Sequence, residues 1–188
     1  MKKKLGDIAE IQFGPYAKGT EKGTVKYLLA SHFDRQNMLS RFKQSLVEAE
    51  DFTAGSFLKR NDVILAGKGQ RLFAWAYDES EGLCIPSSLF FVLEGNRNII
   101  IGKYLAIFLN SEKVQFTLKT MAAGLTIPSI SKNELKELKI FIPSLKEQKK
   151  IVEMAELMEE DISLAQKLLI KKKALKKTIL NKMINPLN

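Results

Sequence analysis

The hydrophobic pattern is most regular in the last quarter of the chain. Residues 144–184 contain neither proline nor glycine, and they open with a capping box formed by Ser144 and Glu147. Asn185 and Pro186 follow and mark the end of the stretch. At 1.5 Å per residue, this stretch predicts a single helix of roughly 60 Å.

Two rows of apolar residues run along this predicted helix. The first row has the alternating spacing of four and three that is typical of a coiled-coil seam: Ile151, Ala155, Met158, Ile162, Ala165 and Leu169. The second row lies about a third of the way round the helix. It consists of Leu157, Leu164, Leu168 and Leu175. A helix with two apolar rows can contact two partners at once.

Charges on the same helix are sorted by sign. Its acidic residues lie between positions 147 and 161, and most of its lysines lie between 167 and 182. Two antiparallel copies would set each acidic half against a basic half, whereas parallel copies would set like charges together. We therefore expect antiparallel pairing through the first row. The alternative is a solvated, charged helix folded back on its own domain.

Shorter apolar runs in the preceding part predict a strand-rich domain. Strands are predicted at 25–30, 62–66, 72–77, 83–85, 89–93 and 138–142, and helices at 104–109, 114–121 and after Ser131. Residues 5–11 predict a helical turn that runs into a strand, and 36–55 show no clean period. The predicted fold class is α+β: a domain at 1–143 with flanking helices, then one long C-terminal coiled-coil helix at 144–185.

The charge balance favours a polyanionic partner. The 188 residues include 30 Lys and Arg against 21 Asp and Glu, a formal net charge of +9. This excess favours nucleic acid over a membrane surface. A single cysteine, Cys84, excludes a disulfide framework and a cysteine-rich zinc site. We expect a cytoplasmic protein with no membrane span and no secretory signal.

Several stretches, taken in order, resemble the target-recognition half of a type I restriction-modification specificity subunit. They are Lys4 to Ile11, Asp62 to Leu65 with Gly67-Lys68-Gly69, Tyr104 to Ser111, Gly124 to Ser131, and Leu138 to Pro143 with the exit Leu145 to Val152. No single piece is specific, but the ordered set followed by a long helix is. The resemblance covers nearly the whole chain.

This resemblance implies a non-catalytic DNA-recognition role. Such subunits are similar to a tandem of two recognition domains whose long helices pack antiparallel as a spacer between two half-sites. This sequence has one domain and one helix, which implies half of such a subunit. The implied partners are double-stranded DNA, a DNA adenine methyltransferase subunit and a restriction/translocase subunit. A homodimer, pairing with another half-subunit, and a fragment all stay open.

Catalytic motifs are not readable in the sequence. The chain lacks the Pro-Pro pair that is typical of amino-methyltransferases, and its one histidine, His32, cannot form a multi-histidine metal site. Residues 67–71 are glycine-rich but do not follow the P-loop order. We expect no enzyme activity, no metal and no cofactor.

Candidate DNA contacts are polar residues of predicted loops. Arg and Lys suit guanine, and Gln and Asn suit adenine. The strongest candidates are Lys68, Gln70 and Arg71, because flanking glycines let a strand end approach DNA closely. The other candidates are Lys18, Lys22, His32, Arg35, Gln36 and Asn37, with Ser87, Ser88 and Thr126 as secondary ones. For each, the alternative is a solvated loop.

Two other functions stay compatible with the sequence. A coiled-coil scaffold or protein-binding adaptor would show no DNA affinity and little salt dependence. The equivalent recognition subunit of a methyltransferase-nuclease system outside type I would keep the recognition role with a different partner enzyme.

Overall fold

The computed structural model describes residues 1–34, 36–39, 45–123 and 127–184. Contacts divide the chain into two compact units, Met1–Lys149 and Lys150–Asn188. The strands are β1 (Lys2–Lys4), β2 (Ala9–Phe13), β3 (Val25–Leu28), β4 (Leu46–Val47), β5 (Asp62–Ala66), β6 (Ala74–Ala76), β7 (Cys84–Pro86), β8 (Phe90–Gly95) and β9 (Lys139–Phe141). The α-helices are α1 (Gly102–Asn110), α2 (Glu112–Met121), α3 (Lys132–Glu137) and α4 (Leu145–Ile184). Short 3-10 turns connect several of them. The predicted α+β class is confirmed.

A four-stranded antiparallel sheet in the order β2-β8-β5-β6 forms the centre of the first unit. Strand β5 is buried on both faces, which explains the continuous apolar run of its last four residues, 63–66. On one face, Ile64 and Phe90 pack in a core cluster with Leu28, Phe33 and Phe73. Helix α1 packs against β5 and β6. The sheet is therefore a rigid base for the loops at its ends.

A smaller three-stranded sheet has the order β4-β3-β7, with β3 antiparallel to β4 and parallel to β7. Val25, Tyr27, Val47 and Ile85 form its buried cluster. The Tyr27 hydroxyl donates to the Pro15 carbonyl at 3.0 Å and accepts from the Ala17 N–H at 2.9 Å. This pair of bonds anchors the loop that follows β2.

Strand β1 was not predicted, because Lys2, Lys3 and Lys4 carry no apolar alternation. It forms an antiparallel two-stranded ribbon with β9. The ribbon joins the first residues of the chain to the strand that precedes the long helix. The predicted strand at 72–77 is shorter in the structure, Ala74–Ala76, although Leu72 and Phe73 stay buried.

Helix α4 begins as the sequence predicts. The Ser144 hydroxyl accepts from the Glu147 N–H at 3.3 Å, and the Glu147 carboxylate accepts from the Ser144 N–H at 2.8 Å. The helix then runs without a break for 40 residues. From residue 153 to 184 its side chains are exposed or half-exposed. Among the described residues, no helix is long and apolar enough to cross a membrane.

Gln148 fixes the first turn of α4 to the first unit. Its side chain is fully buried, and its amide accepts from the Ile101 N–H at 2.9 Å. The same amide donates to the carbonyls of Ile99 at 2.9 Å and Pro143 at 3.0 Å. The first unit extends to Lys149 and includes this bonded turn.

Asp62 is a buried carboxylate at the start of β5, and it gives a pH prediction. Burial raises its pKa from 3.8 to about 6, and the charge of Glu94 adds to the increase. In the unfolded chain this carboxyl group loses its proton near pH 4, and in the folded chain near pH 6. Between pH 4 and pH 6 the folded state binds more protons than the unfolded state. The free energy of unfolding therefore falls as pH rises through this window.

Replacing Asp62 with asparagine removes this unfavourable charge. At one pKa unit per 1.36 kcal/mol, Asp62→Asn should raise the free energy of unfolding by up to about 3 kcal/mol at pH 8. The difference from the wild type should vanish below pH 4. Urea unfolding followed by circular dichroism at both pH values measures it. A variant that is less stable than the wild type at pH 8 would contradict the prediction.

Candidate nucleic-acid interface

Three chain segments meet at one end of the four-stranded sheet. Strand β2 ends at Phe13, which pairs with Phe91 near the start of β8. Strand β5 ends at Ala66, which pairs with Phe90. The loops after β2 and β5 and the turn before β8 therefore lie side by side, because neighbouring strands are antiparallel. We call the surface formed by residues 13–14 and 67–71 the loop platform. It also includes residues 127–129, which are bonded to the 67–69 loop as described below.

Two buried glycines set the spacing of these segments. A Cβ atom added to Gly14 would clash with the backbone of Pro86 and Ser87, and one added to Gly67 would clash with the ring of Phe91. The Gly14 N–H donates to the Phe90 carbonyl and the Gly67 N–H to the Leu89 carbonyl, both at 3.1 Å. The chain passes here at a distance that leaves no room for a side chain.

The segment after α2 completes the platform. The Gly69 N–H donates to the Pro128 carbonyl, and the Ile130 N–H donates to the Gly67 carbonyl, each at 2.9 Å. Lys68 and Ser129 form an isolated antiparallel bridge. These backbone bonds hold the 67–69 loop in place, and Gly69 adopts the left-handed φ of 99° that favours glycine.

Lys68 and Gln70 are exposed on this platform. The ammonium group of Lys68 lies 5.6 Å from the centroid of the Phe13 ring, a cation–π distance. The Lys68 ammonium donates only, to phosphates or to base acceptors, whereas the Gln70 amide can both donate to and accept from a base edge. Their role as DNA contacts stays a prediction.

Arg71 uses part of its donor capacity inside the protein. Its guanidinium donates to the Phe33 carbonyl at 3.0 Å and lies 4.5 Å from the centroid of the Phe73 ring. This bond joins the 67–71 loop to the turn at 32–34. Arg71 is therefore a link between two candidate loops, and its contact with DNA stays a prediction.

The predicted contacts at 32–37 begin beside this link. His32 is buried, and its Nδ1 accepts from the Leu29 N–H at 3.3 Å. Gln36 is exposed, and its N–H donates to the Asp34 carboxylate at 2.9 Å. Asn37 has a left-handed φ of 62°, which asparagine tolerates. Arg35 lies outside the described residues.

The remaining candidates are scattered. Ser87 is buried, which does not favour a direct base contact, and Ser88 is half-exposed. Lys18 and Lys22 line a separate cavity of about 800 Å³ beside Val47, together with Glu48 and other residues. Thr126 lies outside the described residues.

Sequence reasoning missed Phe13 as part of this surface. Its ring centroid lies 4.5 Å from that of Phe91, but 46% of the residue is exposed. In the sequence it continues the alternation of Ala9 and Ile11, which are buried. Only its place at the last position of the strand distinguishes it from them.

Neither a metal-binding cluster nor a reactive thiol is found in the part of the chain that the structure describes. Within the described ranges, no group of three or more His, Cys, Asp or Glu side chains could hold a metal ion. Burial raises the pKa of Cys84 to about 11, so this thiol is protonated near neutral pH.

The apolar rows of α4 lie open in the described chain. Met158, Ile162 and Leu169 of the first row are each about half-exposed or more, and Ala155 is half-exposed. The leucines of the second row are exposed as well. Isolated apolar residues on a surface are common, but two continuous rows are typical of an interaction surface.

Solved specificity subunits share this fold. The S subunit of the type I restriction-modification system from M. genitalium aligns with a TM-score of 0.63 and 18% identity, over 100% of this chain and 46% of that one. The HsdS subunit from Thermoanaerobacter tengcongensis aligns with a TM-score of 0.70 and 16% identity, over 100% and 49%. A chain from a structure on complex assembly and conformational transition of the type I R-M system aligns with a TM-score of 0.63 and 14% identity. The alignment covers 97% of this chain and 45% of that one.

The chain thus spans about half the length of these subunits. At such low identity, the likeness shows the fold alone. Comparison with curated protein sequences gives no significant match. A family model described as the type I restriction modification DNA specificity domain matches residues 1–174. The chain belongs to the family of type I restriction-modification DNA specificity domains.

Proposed function

We propose that this protein recognises a DNA sequence as a specificity component of a type I restriction-modification system. In this role it directs a DNA adenine methyltransferase subunit and a restriction/translocase subunit to a bipartite target, and it carries out no chemistry itself. The observation that carries the proposal is the family membership over residues 1–174.

The first unit supplies the DNA-binding surface in this proposal. Phosphate contacts fix the position of a protein on the duplex, and base contacts supply the specificity. The loop platform offers both kinds of group on a rigid base, with Lys68 as a cation and Gln70 as an amide. The net charge of +9 supports attraction to DNA.

The second unit supplies pairing. Two copies of α4 packed antiparallel through the first row would bury the exposed side chains of Met158 and Ile162. The acidic half of each helix would face the basic half of its partner. Two like domains related by a twofold axis read the same half-site twice, so the target would be palindromic with unread bases between. The second apolar row is then available to the methyltransferase subunit.

A fluorescence titration with labelled duplex DNA tests DNA binding. Each neutralised phosphate contributes about −0.9 to the slope of log affinity against log salt. With about four such contacts, the affinity should fall about 100-fold between 50 and 200 mM salt. Binding to the specific target should tighten when the methyltransferase subunit is present.

A protein that binds no DNA at 50 mM salt, with or without the methyltransferase subunit, would contradict the proposal. That result would favour the scaffold or adaptor alternative. Co-purification of the methyltransferase subunit followed by mapping of modified adenines would separate a type I system from another methyltransferase-nuclease system.

A further inference from the structure

Phe13 is an aromatic ring held in place but left half in water. It is the last residue of β2, and its ring centroid lies 4.5 Å from the ring of Phe91, which is fully buried. The Lys68 ammonium lies 5.6 Å from its centroid. These two contacts restrict the rotation of the ring, yet 46% of the residue stays exposed. The fold buries only part of the apolar surface of Phe13.

The neighbours of Phe13 are fixed by backbone and not only by side chains. Gly14, the next residue, is bonded to Phe90 and fits against Pro86 without space for a Cβ atom. The 67–69 loop that carries Lys68 is bonded to Leu89 and to the segment at 128–130. The backbone positions that carry the ring and the cation are therefore held side by side.

This pair has the chemistry of a composite base-edge contact. A lysine ammonium can donate to the O6 and N7 atoms of guanine or to a phosphate. A phenyl ring carries no conventional hydrogen-bonding group, so at a base edge it favours an apolar contact. On the base edges of the major groove the only apolar group is the C5-methyl of thymine.

We infer that Phe13 is a specificity-determining residue that contacts a thymine methyl group next to the position contacted by Lys68. This inference rests on the proposed function, because it requires the loop platform to face DNA. Phe13 reads the presence of one methyl group, and Lys68 supplies the polar contact beside it.

The experiment removes the methyl group from the DNA and the ring from the protein separately. A preferred target is first selected from a pool of randomised duplexes with the wild-type chain. Each thymine of that target is then replaced in turn by deoxyuridine, which differs only by lacking the methyl group. One thymine in each half-site should be sensitive, with the affinity falling about fourfold per methyl group.

The Phe13→Ala variant should abolish this sensitivity. It should bind the selected target several-fold more weakly than the wild type, bind unrelated duplexes equally well, and no longer distinguish thymine from deoxyuridine. Phe141→Ala is the matched control, because Phe141 is 51% exposed and also ends a strand. The Phe141 carbonyl accepts from Tyr104, in the first turn of α1. Helix α1 begins at Gly102, whose N–H donates to the side chain of Asn61, the residue just before β5. Phe141 therefore lies towards the opposite end of β5 from Gly67.

Each other outcome overturns the inference. If no thymine of the target is sensitive to deoxyuridine in the wild type, the ring reads no methyl group, whether or not the variant folds. If the Phe13→Ala variant keeps the thymine preference, or binds all DNA sequences more weakly by the same factor, the ring does not determine specificity. Wild-type protein that binds DNA without any preferred sequence contradicts base reading while leaving DNA binding intact. Wild-type protein that binds no DNA removes the proposed function itself.

Discussion

Replacing both Met158 and Ile162 with glutamate should convert paired chains into single chains. In one copy these residues are 60% and 49% exposed, so pairing through the first row would bury a large part of each. An apolar side chain of this size contributes about 1.5 to 3 kcal/mol when it is fully buried. Because only about half of each side chain is still exposed, losing four of them in the pair removes roughly 3 to 6 kcal/mol, or about 10²- to 10⁴-fold in the dissociation constant.

Sedimentation equilibrium at micromolar concentration measures this effect. Ile170→Glu is the matched control, because Ile170 is exposed on the same helix and belongs to neither apolar row. The control should pair as the wild type does. A wild-type chain that is monomeric at this concentration would exclude the homodimer and leave pairing with a different half-subunit.

The second large effect concerns the buried amide of Gln148. Gln148→Met keeps the length of the side chain but removes all three of its hydrogen bonds. The Ile101 N–H and the carbonyls of Ile99 and Pro143 would lose their partner. A buried unsatisfied group costs about 1 to 3 kcal/mol, so we expect the first unit to lose about 3 kcal/mol or more. For a domain of this size, that lowers the melting temperature by roughly 6 to 12 °C.

Differential scanning calorimetry checks the size of this loss. Lys150→Met introduces the same side chain at an exposed position in the same part of the helix, and it should leave the melting temperature within a degree or two, as is usual for surface substitutions. Equal melting temperatures for Gln148→Met and the wild type would mean that water replaces the amide at no cost.

The sequence predicts those elements whose signals are local. The capping box of Ser144 and Glu147 and the absence of proline and glycine define α4, and the apolar run at 63–66 defines β5. Strand β1 could not be predicted, because its pairing with β9 depends on residues far along the chain. Its three lysines read as a basic terminus, and only the tertiary fold gives them partners.

The candidate surface was predicted in part for the same reason. The glycines around Lys68 predicted a tight loop at a strand end, and the structure confirms such a loop. The bond from Arg71 to the Phe33 carbonyl depends on two distant loops meeting, which no local pattern encodes. The alternation along β2 predicts that Phe13 is a core residue. It is partly exposed because it is the last residue of the strand, at the edge of the sheet's packed area, and its local sequence does not show this.

The two buried glycines of the loop platform have a consequence for retargeting this protein. Gly14 and Gly67 admit no side chain, so substitution there would move β2 or β5. Lys68 and Gln70 are exposed, and Phe13 is about half-exposed, so substitution at these nearby positions does not force the backbone to move. A library that varies these three positions and keeps both glycines should therefore yield folded proteins with altered base preferences, whereas a library that varies the glycines should yield mostly unfolded ones.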